Sequence, residues 1–166
     1  EDPERLVRRN WYTLIASYYP DAIIADRTAL ESKPAEDGSV FLISAKRRDT
    51  ELPGLVLRPR PGPGALDSDR VFGGARLAST ARAYLENLRP SRGRKDRTSR
   101  VIERGELERR LDAMIRQQGE AGVNRLRDDA RRIAPELGYE AEADELDNLL
   151  GSLLGSWGWS RAATGS

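Results

Sequence analysis

Between about residues 20 and 88 the apolar residues of this chain come mostly in short runs set among proline- and glycine-containing turns. Beyond residue 100 they recur every three or four positions instead. That change of period constrains the fold more than any other feature. Short β-prone runs between turn residues build strands and brief helices, whereas a three-to-four spacing builds amphipathic helices. The pattern predicts an α+β protein: a small mixed α/β lobe with a short antiparallel sheet over residues 1–88, then a helical lobe of two to three helices over 101–155. Residues 89–100 read as a basic linker between them, and 156–166 as a flexible tail. The 166 residues suffice for one core or two small lobes, burying roughly 70% of the unfolded surface.

In the first half, "PERLVRRNWYTLIASYY" (3–19) reads as one helix. Pro3 suits a first helical position, Val7, Trp11, Leu14, Ile15 and Tyr18 share a stripe, and Pro20 stops it. "AII" (22–24) is a short buried strand, and Asp26 is placed to cap a helical turn through Leu30. "SVFLIS" (39–44) and "LVLRP" (55–59) are strands, with "KRRDTELPG" a charged turn between them. "RVFGGARLAS" is a hairpin turning at Gly73-Gly74, and Ser79 or Thr80 caps a helix ending before Pro90. In the second half, stripes at Leu107, Leu111, Met114 and Ile115, then Val123, Leu126, Ala130 and Ile133, then Leu146 to Leu154 predict helices. Gly119, Gly122, Pro135 and Gly138 punctuate them.

Charge is uneven. Net charge is only +1, which gives no global pull toward nucleic acid or an anionic membrane. Yet "LRPSRGRKDRTSR" carries six cations, Arg89, Arg92, Arg94, Lys95, Arg97 and Arg100, against the single acid Asp96, while residues 134–150 hold six acids and no base. Mutual attraction of these two segments is one reading. A solvated linker is another. A third is a sequence-blind contact of the six cations with nucleic-acid phosphates.

With neither cysteine nor histidine, the chain has no disulfide, thiol nucleophile, imidazole base or usual zinc site. A chain without disulfides suits a reducing cytoplasm, which is the expected location. No apolar run is long enough to span a membrane. The opening "EDPERL", without methionine, leads us to expect a piece of a longer protein. No cofactor, metal or catalytic residue is predicted. The proline-rich loop at 59–64 lacks the Lys-Ser/Thr ending of a phosphate-binding loop, and the acids Glu140, Asp144 and Asp147 fall on the helix face opposite the leucines, where a solvated helix carries charge. Trp11 and Tyr18, beside Arg8 and Arg9, read as core rather than as base-stacking platforms. Trp157 and Trp159 read as part of the tail.

The ordered set "DPERLVRRNWYTLIASYYPDAIIADRTALE", "DGSVFLIS", "LPGLVLRPRPGPG", "GGARLASTARAYLENLRPSR", "NRLRDDARRIAPELG" and "LDNLLGSLLG" resembles the region that precedes the catalytic domain in large bacterial Fic (cell filamentation) proteins. Its first half is similar to the core of AbiEi-type antitoxins of toxin–antitoxin pairs. The resemblance implies a non-enzymatic, antitoxin-like regulatory module that contacts a toxin or Fic-type nucleotidyl-transfer domain, in cis or in trans. The Fic catalytic loop HPFxxGNG is not in this sequence. Ser32 to Glu36 and Ser99 to Glu103 each miss the last position of the family's inhibitory pattern. Such antitoxins place a winged helix before this core, and this sequence opens inside the helix that would follow it, which counts against direct base readout and leaves protein-facing work as the expectation. The alternative, resting on the basic strap, is a DNA- or RNA-binding accessory or transcriptional autoregulator that uses the strap on phosphates. Neither reading fixes the oligomeric state.

Overall fold

The computed structural model describes residues 2–91 and 93–165, with side chains as far as Ser156. The protein is α+β and divides into two compact units, Glu1–Val101 and Ile102–Ser166. The boundary corrects the linker expectation, because residues 93–100 belong to the first unit. Their anchors are described with the site below.

The first unit opens with α1 (Pro3–Arg9) and α2 (Trp11–Tyr18). The single helix expected over 3–19 breaks at Asn10, whose φ is −115°. Its Nδ2 donates to the Leu6 carbonyl at 2.9 Å and its N–H reaches only back to Val7, the local competition with helix geometry that asparagine favours. Trp11 and Ile15 enter the core, but Tyr18 stays exposed and Tyr19 is the buried ring. The helix ends at Tyr18, and Tyr19, at φ −134°, turns inward instead.

Six strands form one sheet: β1 (Ile23–Ile24), β2 (Ser39–Ile43), β3 (Thr50–Leu52), β4 (Leu55–Arg60), β5 (Arg70–Phe72) and β6 (Ala75–Leu77), in the order β3-β4-β2-β1-β6-β5. The sheet is mixed, not antiparallel as expected: β2 pairs parallel with β4 and β1 parallel with β6. The cause is β3, a strand hidden in the charged stretch "KRRDTELPG". It makes a tight hairpin with β4 through Pro53 and Gly54, whose φ is +78°. That reversal returns β4 alongside β2 in the same direction. All five β2 residues are buried, as a strand covered on both faces requires. The β5–β6 hairpin turns at Gly73-Gly74 with φ of +56° and +88°, the primed geometry that suits the strand twist.

Side-chain alternation along β2 sends Val40 and Leu42 into a core with Trp11, Ile15, Tyr19, Leu55, Leu57 and Leu77. Helix α3 (Asp26–Glu31) packs on β2 and on α4 (Thr80–Asn87). Ser79 caps α4, its side chain accepting the Arg82 N–H. Asp26 does not cap α3. It is the first residue of that helix, with Ala25 in the cap position and no side-chain cap bond. Its own carboxylate is drawn elsewhere.

The second unit contains α5 (Arg104–Leu137) and α6 (Glu140–Gly165). Gly119, at φ +65° and ψ −162°, breaks α5 into two arms. Pro135 does not punctuate; it sits inside the last turn, and the helix ends at Gly138, φ +75°. Asp147 of the acidic segment pairs with Arg127 at 2.6 Å and Arg131 at 2.8 Å, and Glu145 pairs with Arg104, so these two acids find cations within their own unit. Helix α6 runs into the segment expected to be a flexible tail, and the side chains of Trp157 and Trp159 lie outside the described residues. Among the described residues no helix is long and apolar enough to cross a membrane.

Candidate functional site

Beneath the sheet lies a chain of buried charges. Arg82 is fully buried in α4. Its Nε donates to Glu86 at 3.0 Å and its Nη1 to Asp69 at 2.7 Å, while Nη1 and Nη2 also donate to the carbonyls of Gly64 and Pro63. The proline-rich loop therefore turns its carbonyls toward a cation. That is the opposite polarity to a phosphate cradle, which presents N–H groups. Glu86 accepts the Asp26 N–H at 2.9 Å, supplying the acceptor that the N-terminus of α3 needs. Asp26 accepts both Nε and Nη2 of Arg60 at 2.9 Å and Nε of Arg100 at 2.8 Å.

Three acids and three arginines thus neutralise one another. Burial alone raises the Asp26 pKa, but the hydrogen bonds and charge of Arg60, with the charge of Arg100, outweigh it and hold the carboxyl below its ordinary range. Glu86 moves the other way: burial and the neighbouring Asp26 charge raise it, against the opposing pull of Arg82. Burial lowers the Arg100 pKa. Asp26 has φ +53°, a left-handed backbone in which a non-glycine residue is strained. The three ligating hydrogen bonds it accepts keep it there.

Arg100 joins this network to a solvent-open cleft of about 380 Å³, lined by Phe41, Asp49, Arg58, Pro59, Arg94 and the segment Arg97 to Arg100. Several bonds fix the segment. Arg100 donates to the carbonyls of Arg58 and Leu42 and lies 4.9 Å over the Phe41 ring. The Arg100 carbonyl accepts the Arg27 N–H, and Asp37 accepts the Thr98 N–H at 2.9 Å. Burial raises the Asp37 pKa, but the N–H groups of Thr98 and Ser39 prevail and bring it to about 2. On the opposite wall, buried Ser39 accepts Arg58 Nε at 2.9 Å, and Arg58 Nη1 donates to Asp49 at 2.9 Å. Arg97 Nη1 lies 3.8 Å from the same Asp49 oxygen.

The six cations singled out from sequence divide accordingly. Arg94, Arg97 and Arg100 converge on the cleft. Arg100 is a structural anchor, since its Nε, Nη1 and Nη2 are all engaged. Arg94 and Lys95 are exposed, and among the described residues neither side chain has a hydrogen-bonding or ionic partner, although the Arg94 carbonyl accepts the Arg97 N–H at 3.5 Å. Arg89 follows α4, half-buried and outside the cleft lining. Arg92 lies outside the described residues. Sequence reading missed Arg58 and Asp49. Alternation in "LVLRPR", which puts Arg58 and Arg60 on one face of β4, was the available signal for the first; nothing marked the second. With Arg100 committed to the fold, Arg58, Arg94 and Arg97 beside one lining carboxylate make a candidate anion site, since the planar fork of arginine matches phosphate oxygens.

Comparison with protein-family models, with curated proteins and with solved structures gives no match.

Proposed function

We propose that this chain is a non-enzymatic regulatory module that binds nucleic-acid phosphates through the arginine-lined cleft. The observation that carries this reading is the convergence of Arg94 and Arg97, from one end of the basic segment, with Arg58 of β4 around a single cavity. The neighbouring network is built to hold rather than to react. Asp26 is committed to arginine donors, and Glu86 and Asp69 to arginine and backbone N–H donors, so the geometry favours binding over proton transfer. Contact with the phosphate backbone alone carries no sequence information. The regulatory role rests on the resemblance to AbiEi-type and Fic-associated regions, in which case the controlled partner is a toxin or Fic-type domain.

The test is binding to a generic DNA duplex by fluorescence anisotropy across a salt series. Micromolar binding is expected at low salt, with a log–log salt slope of about −2 to −3 for two to three phosphates engaged. The variant R58Q/R94Q/R97Q loses most of that binding. Equal binding by the variant and the parent would rule the cleft out as the contact.

A further inference from the structure

Asp49 is the only carboxylate among the residues lining the cleft, and it stands where an anionic ligand would stand. Its Oδ2 is 2.9 Å from Arg58 Nη1 and 3.8 Å from Arg97 Nη1, so one oxygen faces guanidinium groups from both walls. The position is built. The hydroxyl of Tyr19, a side chain rooted in the core, donates to the Arg48 carbonyl at 2.6 Å and is hydrogen-bonded to Thr50 Oγ1 at 2.7 Å. The residues on either side of Asp49 are thereby clamped to one buried ring. On the other wall, the Ser39 Oγ that accepts Arg58 Nε fixes the direction of the guanidinium fork. Arg97 Nε is buried without a hydrogen-bond acceptor among the described residues, its nearest carboxylate oxygen there being Asp96 Oδ1 at 3.7 Å. The Asp49 side chain itself remains 39% exposed, free to rotate toward solvent when displaced.

We propose that Asp49 is a built-in competing anion that sets the affinity of the cleft for phosphate groups: a ligand phosphate takes the place of the Asp49 carboxylate between Arg58 and Arg97. The ligand class is a phosphate of a nucleic-acid backbone, so the inference rests on the proposed function. Asp49 acts as an affinity-setting residue, keeping the arginines paired and aimed in the empty cleft while lowering the net gain from any incoming anion. A ligand must replace the carboxylate as well as shed its own counterions.

The experiment compares D49N with D96N in duplex binding at about 50 mM salt, beside the parent chain. Both substitutions remove one negative charge and keep side-chain shape. Asp96 lies on the basic segment, 72% exposed and outside the cleft lining, with its Oδ1 3.7 Å from Arg97 Nε, so D96N measures the gain from removing one exposed charge beside Arg97 without emptying the place between Arg58 and Arg97. D49N is expected to bind about five- to tenfold more tightly than the parent, with D96N changing affinity less than about twofold. Equal gains in the two variants would reduce Asp49 to a generic charge. Weaker binding by D49N would make it an aligner of Arg58 and not a competitor. Either result overturns the inference while leaving the proposed function standing. Absence of binding by the parent and by D49N alike overturns both.

Discussion

The Asp26 carboxylate accepts a 2.8 Å hydrogen bond from Arg100 Nε, across 74 residues of chain. This bond ties the end of the basic segment to the first turn of α3, and Arg60 binds the same carboxylate from β4. One aspartate therefore joins a helix, a strand and the floor of the cleft. Asn at position 26 keeps the shape and tolerates the left-handed backbone, so D26N isolates the charge. Two partly buried guanidinium groups then lose their shared counter-charge, at a cost of about 3 kcal/mol. Chemical denaturation measures it. The loss stays at the low end of the usual range because Glu86 remains 3.9 Å from Arg60.

Arg82 is expected to be less forgiving. Its four hydrogen bonds run in the plane of the guanidinium fork, and a lysine ammonium cannot reproduce that spread. R82K should lower unfolding stability by about 3 kcal/mol or more by stranding Asp69, Glu86 or the loop carbonyls. Stability within 1 kcal/mol of the parent, as a rough threshold, would show that the network repacks around a point charge.

The α+β class and most element positions were legible in the sequence because they follow from local periodicity and turn chemistry. Gly73-Gly74 names its own hairpin, and the leucine stripes name α5 and α6. Three things were not legible, each because a distant partner decides it. β3 hides in a charged stretch and exists because β4 supplies its ladder. Asp26 looks like a helix cap, but Arg60 and Arg100 claim its carboxylate. The basic segment looks like a solvated strap, yet its cations meet Asp26, Asp49 and Phe41, residues scattered over the earlier chain. Arg94 and Arg97 were found by charge density, and Arg58 and Asp49 only by the fold that brings them alongside.

Strong acid should release one anchor of the segment. Asp37 has a folded-state pKa of about 2 against an ordinary 3.8, so its contribution is present above 3.8 and is lost as pH falls through about 2. The Thr98 amide, which donates to Asp37, should shift in NMR spectra with a midpoint near that value. In D37N it should show no such transition, and the free-segment amide position should appear already at neutral pH.

The hairpin glycines should not be equivalent. Both require positive φ, but an added Cβ at Gly74 meets open space, whereas at Gly73 it would come within 2.0 Å of the Tyr12 ring. G74A is expected to cost about 1–2 kcal/mol, the left-handed penalty alone. G73A should cost more, because Tyr12 must leave its packing 4.6 Å from Phe72. Thermal melts of the two variants rank them.

The central claim is that phosphates enter the cleft between β4 and the basic segment. A titration of the isotopically labelled chain with a short DNA duplex, followed by amide and arginine side-chain NMR, tests it most directly. The account predicts saturable shifts at Asp49, Arg58, Arg94, Arg97 and Thr98, with Arg97 Nε among the most affected and the shifts weakening as salt rises. Shifts confined to other surfaces, such as the arginines of α5, or no shifts at low salt, would contradict it.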